Sequence, residues 1–387
     1  MPENNLYYIY IDSKIEGTID QLMGYFQANI FHPEDCICIY FKFYKDIEKY
    51  IKNKFKSTSI RIKFIRKNSD LHFIPNKVVF YLFNAQSNCR IVAHRELTHI
   101  FVTHGESHKL ASIKPIIRIY DFVISSGQVG IDRFLKAGIF NLYNIQEEQR
   151  IILMGNTFIG QHHYQYDVNS DSLLYAPTWE GGISSENYSS IGKRTQEILA
   201  QLIHKNGIKT LYIQMHPNLG HRDKKYIQYL KKMITHLSKL NIKIELIKST
   251  LKFKDHLTFI GYQLSLSSKM RHLKIKAAVT DISAMEMQLI SENIPTVVLY
   301  YSDRLNNLII PNRIKYLYSI EKSIDFNNFN NLDLSLRAAE VEQHKSYLIS
   351  YQKSELLEMT FRKRISWLCH YAHQKKVQVQ QHYLDAF

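Results

Sequence analysis

Three strand-end loops in this sequence carry side chains suited to proton transfer and anion binding. In the first, FVTHGESHK (Phe101–Lys109), an apolar run leads into His104 and Gly105, followed by Glu106, Ser107, His108 and Lys109. Histidine is the side chain whose ordinary pKa suits proton transfer near neutrality, and Gly105 lets the backbone turn sharply and approach a ligand. Lys109, at the expected start of a helix, adds positive charge to free helix amides, a pairing that holds anions. Glu106 either orients an imidazole or caps that helix. A lone strand-end histidine is usually a satisfied core residue, but here His, Gly, His and Lys converge on one loop.

The second loop, LYIQMHPNLGHRDKK (Leu211–Lys225), runs a five-residue apolar strand into His216 and Pro217, and the proline stiffens the loop and keeps His216 extended. In the third, KAAVTDISAMEM, Thr280 and Asp281 end a strand and Ser283 is expected at the N-cap of the next helix. Free amides there, with the hydroxyls of Thr280 and Ser283, would cradle a phosphate. Asp281 would repel a diphosphate unless it hydrogen-bonds the loop or a donor hydroxyl. A fourth segment, LLYAPTWEGG (Leu173–Gly182), places Thr178 between Pro177 and Trp179, whose ring either walls a nucleotide or covers the core.

These loops need rigid elements behind them. Short apolar runs alternate with amphipathic stretches, which predicts α/β structure with parallel sheets. Strands are expected at 6–11, 36–43, 60–65, 77–83, 99–103 and 122–125, with helices at 19–30, 45–54 and 127–135. A second run has strands at 172–176, 210–215, 243–247, 276–280 and 296–300, with helices at 192–204, 224–240 and 283–291. Between the runs, QHHYQYDVNSDS is polar and without period, and reads as a linker. The expected division is an N-terminal acceptor-side domain (1–165), a C-terminal donor-binding domain (166–330) and closing helices (331–387) that pack back on the body. Two Rossmann-like parallel-sheet domains of this kind describe a GT-B-like fold, in which ligands sit outside the carboxyl ends of the strands.

Composition sets limits. The chain has 387 residues, 45% hydrophobic, with 50 Lys+Arg against 35 Asp+Glu and a net charge of +15. That balance suits anionic partners: phosphate-rich substrates, acidic lipid headgroups or nucleic acid. The 26 Tyr and 20 Phe sit in strand patterns rather than among arginines, which speaks for core and against base stacking. No apolar stretch reaches the roughly 18 residues needed to cross a bilayer. The opening MPENNLYYIYIDSK has no secretory pattern, so a cytoplasmic protein is expected, with contact to the inner face of the membrane left open. Cys36, Cys38, Cys89 and Cys369 read as free thiols in a reducing compartment. There is no P-loop, nucleophile elbow or dinucleotide fingerprint, and no cluster of aspartates for a dedicated metal site. No cofactor is implied, and a divalent cation such as Mg is left open.

Taken together, HGxxxK (His104–Lys109), YAPTW (Tyr175–Trp179), the strand ending in His216-Pro217, and TDxS (Thr280–Ser283) resemble the CDP-glycerol glycerophosphotransferase family. That family includes wall teichoic acid polymerases and related capsule polymerases. YDFVISSGQVGIDRFLKAGI (Tyr120–Ile139) is similar to its segment after the first histidine motif, so the likeness spans roughly residues 95–305. The resemblance implies transfer of a polyol-phosphate or sugar-phosphate unit from a CDP-activated donor to a hydroxyl of an anionic polymer or lipid-linked acceptor, with release of CMP. It implies His104 as the base, His216 on the donor pyrophosphate, and Ser283 with Thr280 on the phosphates. Gly105, Lys109, Thr178, Pro217 and Asp281 are further candidates for substrate or donor binding. The chain departs from the pattern at HGESHK, where HGTPLK is usual, at Ala284, and at Gly155-Asn156-Thr157, which lacks an expected arginine. Two other classes fit the composition: a GT-B glycosyltransferase using a nucleotide sugar, and a basic module that binds anionic membrane or nucleic acid without catalysis.

Overall fold

The computed structural model describes residues 5–102, 106–160, 162–249, 251, 253–267, 272–314, 317–320 and 334–384. The chain forms two compact units: Met1–Glu106 with Ile113–Gly160 and Leu348–Phe387, and Ser107–Ser112 with Gln161–Tyr347. The short piece 107–112 thus belongs with the second unit, and the chain's last forty residues belong with the first.

The first unit is built from β1 (Tyr7–Ile11), α1 (Glu16–Gln27), β2 (Cys36–Lys42), α2 (Lys45–Phe55), β3 (Ile62–Ile65), β4 (Val78–Tyr81), α3 (Asn88–Val92), β5 (Thr98–Phe101), β6 (Phe122–Ser125), α4 (Gln128–Lys136), α5 (Leu142–Gln146) and β7 (Ile151–Leu153). All seven strands pair in parallel, in the order β3-β2-β1-β4-β5-β6-β7. Parallel strands are covered on both faces and so read as unbroken apolar runs: YYIYI in β1 and VVFY in β4 are buried at every position. On α2, Ile47, Ile51 and Phe55 recur every four residues on the buried face, with Asp46 and Glu48 in the first turn and Lys52 and Lys54 in the last, as the helix dipole favours.

The second unit has β8 (Tyr164–Tyr166), β9 (Ser172–Ala176), α6 (Lys193–Lys205), β10 (Thr210–Gln214), α7 (Lys225–Leu237), β11 (Lys243–Lys248), α8 (Phe253–Thr258), β12 (Gln263–Leu266), β13 (Leu273–Ile275), β14 (Ala277–Asp281), α9 (Met285–Ser291), β15 (Thr296–Tyr300), β16 (Leu317–Ser319) and α10 (Leu334–Leu348). Its main sheet is also seven-stranded and parallel, in the order β12-β11-β10-β9-β14-β15-β16. Two Rossmann-like parallel-sheet units make the fold α/β and GT-B-like, as the alternation of elements predicts.

The last helix, α11 (Phe361–Leu384), returns to the first unit. Ile365, Leu368, Cys369 and Ala372 join the first unit's buried core. Arg364, 5% exposed, donates to Asn156 Oδ1 at 2.7 Å and to the Leu356 and Leu357 carbonyls. The loop at Gly155, where the resemblance would place an arginine, therefore receives a guanidinium from α11 instead. Gly155 is required there: its φ is +55°, and a Cβ would stand 2.0 Å from the Tyr351 ring.

Three local expectations are corrected. The polar stretch at 161–172 is no linker: it contains β8, which pairs in parallel with β13 in a small second sheet. No α-helix starts at Glu106–Lys109; Lys109 lies in an antiparallel bridge with Leu308, and only the 3-10 turn Leu110–Ile113 follows. Ser283 is not an N-cap, because α9 begins at Met285 behind Ala284 and has no side-chain cap.

Candidate functional site

The second unit gathers Lys109, Thr178, His216, Asp281 and Ser283 at or near the carboxyl ends of β9, β10 and β14. His104 and Gly105, on which the first loop's chemistry rests, lie outside the described residues. Glu106 caps no helix of its own loop, since no α-helix starts there. It accepts from the Ser126 amide at 2.6 Å and forms an ion pair with Arg133 of α4.

Asp281 closes β14 with its side chain fully buried. Its carboxylate accepts from the Thr178 amide at 2.9 and 3.0 Å, from the Ser190 amide at 2.9 Å and from the Ser190 hydroxyl at 3.0 Å. Burial pushes its pKa up to about 6, against those hydrogen bonds and the nearby Lys109 charge. It thereby hydrogen-bonds the loop that follows β9 and pins it to the end of β14. Thr280 is also internal. Its hydroxyl donates to the Ala176 carbonyl at 2.8 Å and lies 3.2 Å from Ser283 Oγ, so it ties β14 to β9 rather than offering itself to a ligand.

Glu180 pins the neighbouring loop. Wholly buried, it accepts from the amides of Gly220, Arg222 and Asp223 at 2.9–3.0 Å. Arg222 closes the clamp by donating to the Glu180 and Gly181 carbonyls at 2.8 and 2.9 Å. Bonds from amides to an acid are stronger than neutral ones, and together the three hold the loop after β10 against the loop after β9. Sequence reading passed over Glu180 and Ser190; the only trace of this clamp is an acid placed directly after the aromatic of PTW.

That clamp presents His216. Its ring stacks on Trp179, with centroids 5.9 Å apart and planes 12° from parallel. Trp179 therefore walls the imidazole and is only partly covered. Burial pushes the His216 pKa down to about 3, and the Lys109 charge adds to the shift, so the ring is neutral at physiological pH. Its Nδ1 accepts the Asn218 amide at 3.1 Å. A neutral imidazole that accepts at one nitrogen carries its proton on the other, so Nε2–H is a fixed donor. Pro217, exposed, keeps the chain extended at this point.

Lys109 completes the set. Its Nζ is 3.4 Å from Thr178 Oγ1 and 5.0 Å from the centroid of the Tyr188 ring. Desolvation lowers its pKa, partly offset by the charges of Asp281 and Glu186. An ammonium has three donor hydrogens, and one long bond to a hydroxyl leaves capacity for an anion. The unit thus holds a neutral Nε2–H donor on a loop fixed by the buried Glu180, and a partly desolvated cation beside the loop fixed by the buried Asp281. Among the described residues, no group of three or more His, Cys, Asp or Glu could hold a metal ion, and no helix is long and apolar enough to cross a membrane.

No family model matches the chain, and no curated protein matches it. Solved structures similar to it include the lipopolysaccharide outer core galactosyltransferase WaaB in its apo form, at 14% identity over 93% of this chain and 98% of that one, with a TM-score of 0.46. Acinetobacter baumannii MurG is similar at 9% identity over 91% and 98%, TM-score 0.46. The S. aureus MnaA–UDP structure is similar at 11% identity over 100% and 98%, TM-score 0.45. With these TM-scores below 0.5, the fold assignment rests on the strand orders of the two sheets themselves.

Proposed function

We propose that this chain is a GT-B-like transferase whose second unit holds the diphosphate of a nucleotide-activated donor between His216 and Lys109. The observation that carries the reading is the fixed tautomer of His216 beside a partly desolvated lysine. A neutral Nε2–H and an ammonium together bind phosphate oxygens and stabilise the charge that builds on a departing nucleotide. Neither residue is placed to take a proton: His216 is already a donor at Nε2, and Lys109 is a cation. The base that activates an acceptor hydroxyl is then supplied elsewhere, and His104 is proposed for it on the HGxxxK resemblance.

The same resemblance names the donor as CDP-activated and the transferred unit as a polyol phosphate or sugar phosphate, passed to an anionic polymer or lipid-linked hydroxyl acceptor in the cytoplasm. In such a transfer the acceptor oxygen forms a bond to the β-phosphorus as the bond to the bridging oxygen breaks. The hydroxyl proton goes to the base and CMP carries away the bridging oxygen. Incubation with a panel of CDP-polyols and acceptor oligomers, followed by mass spectrometry, tests this: CMP with a new phosphodiester is expected. A glycosidic product with release of a nucleoside diphosphate would instead assign the chain to nucleotide-sugar transfer, which the same two phosphate-holding residues would serve.

A further inference from the structure

We infer that His108 and Glu286 form a positioning pair that sets Lys109 in the phosphate site, an inference that rests on the donor-binding reading above. Both side chains are 0% exposed, and His108 Nε2 lies 3.2 Å from Glu286 Oε1. Taking two such polar groups out of water is costly, and apolar residues of similar volume often fill the same space at no loss of stability. A histidine paired with a glutamate here therefore points to placement rather than to stability.

The placement is visible in the backbone. The His108 carbonyl accepts the Ile309 amide at 2.8 Å, and Lys109 pairs with Leu308, so the segment is extended where it crosses the second unit. Successive side chains of an extended segment point to opposite sides. With His108 anchored inward on Glu286, Lys109 is directed the other way, to Thr178 and the Tyr188 ring. The two backbone contacts fix where the segment lies; the side-chain pair fixes which way it faces. Glu286 sits on α9, in the stretch that follows Asp281, and Asp281 holds Thr178, the residue that Lys109 reaches. The strand-loop-helix that builds the site therefore also orients its cation. Leucine, usual at the place of His108 in the HGTPLK pattern, could not make this pair.

The test is a double-mutant cycle on binding of CDP, measured by calorimetry with the full-length protein. His108→Leu and Lys109→Met are each expected to weaken CDP by about tenfold, the size of one lost charge-assisted contact. In the double variant the His108→Leu effect disappears, leaving affinity within about twofold of Lys109→Met alone. His108→Gln, whose amide can still donate to Glu286, restores affinity to within about threefold of wild type. Should His108→Leu fail to fold, His108→Leu/Glu286→Leu removes the pair while filling the core, and is expected to show the same loss and the same dependence on Lys109. Full additivity of the two substitutions, or unchanged affinity in the folded pair-less variant, overturns the inference alone. Absence of CDP binding in the wild type overturns the donor reading and this inference with it.

Discussion

Each main sheet reverses its strand order once, between β1 and β4 in the first unit and between β9 and β14 in the second, and a carboxylate stands at each reversal. Such switch points are where open α/β sheets bind ligands. In the first unit Asp12 is met by the Lys42 ammonium at 3.2 Å, by the Tyr44 hydroxyl at 2.6 Å and by Ser87 Oγ. Burial pushes its pKa up, but the bonds from Ser87, Tyr44 and Lys42 outweigh it and the net shift is downward. In the second unit Asp281 is met by two amides and a hydroxyl, burial wins, and the shift is upward, to about 6. The difference decides what each site retains. The first unit pairs its acid with the local lysine, whereas the second commits its acid to the loop backbone, and Lys109 reaches the Thr178 hydroxyl instead.

The two carboxylates should differ most in what they contribute to stability. Asp281→Ala leaves two interior amides and a hydroxyl without an acceptor and should cost about 4 kcal/mol, while Asp12→Ala, whose partners reach solvent, should cost about 1 kcal/mol. Urea unfolding measures both, and equal losses would erase the distinction. The pH dependence should differ in sign. The folded pKa of Asp281, about 6, lies above the ordinary aspartate value of 3.8, so its contribution to stability is full below about 4 and is lost as pH rises through about 6. Asp12 behaves oppositely, contributing above its unfolded pKa and losing that contribution as pH falls through its lowered folded value. Wild type should therefore lose about 2–3 kcal/mol relative to Asp281→Asn between pH 4 and 7; a loss running the other way contradicts the assignment.

Smaller effects sharpen the picture of the second unit. Glu180→Ala should cost about 2 kcal/mol and speed hydrogen exchange at the amides of Gly220, Arg222 and Asp223. Unchanged protection at those amides would mean that Glu180 does not hold the loop. The smallest expected signal is spectroscopic: ring-nitrogen NMR should find His216 as the Nε2–H tautomer, without titration between pH 8 and 5. A midpoint near 6.5 would remove the fixed donor.

Much of this was legible in the sequence. Parallel strands buried on both faces announce themselves as apolar runs, and Phe122–Ser125, Ser172–Ala176 and Thr296–Tyr300 lie where those runs place them. Strands of three residues carry too little pattern, so β7, β8, β13 and β16 went unread, as did the partly exposed β12, and β8 hid in a polar stretch because its partner β13 lies about a hundred residues away. The TDxS motif marks the turn after β14 but not the contacts its side chains make. Ser283 looks like a cap until the helix is seen to start two residues later, and the acid that resembled a ligand contact is a loop clamp. Arg364 against Asn156, 208 residues apart in sequence, is a pairing no local pattern encodes.

Calorimetric titration of the full-length protein with CDP-glycerol tests the donor site most directly. Wild type should bind; Lys109→Met and His216→Ala should each weaken binding by at least about tenfold, and Asp12→Ala should leave it within about twofold. Unchanged affinity in both second-unit variants would contradict the assignment of Lys109 and His216 to the donor phosphates.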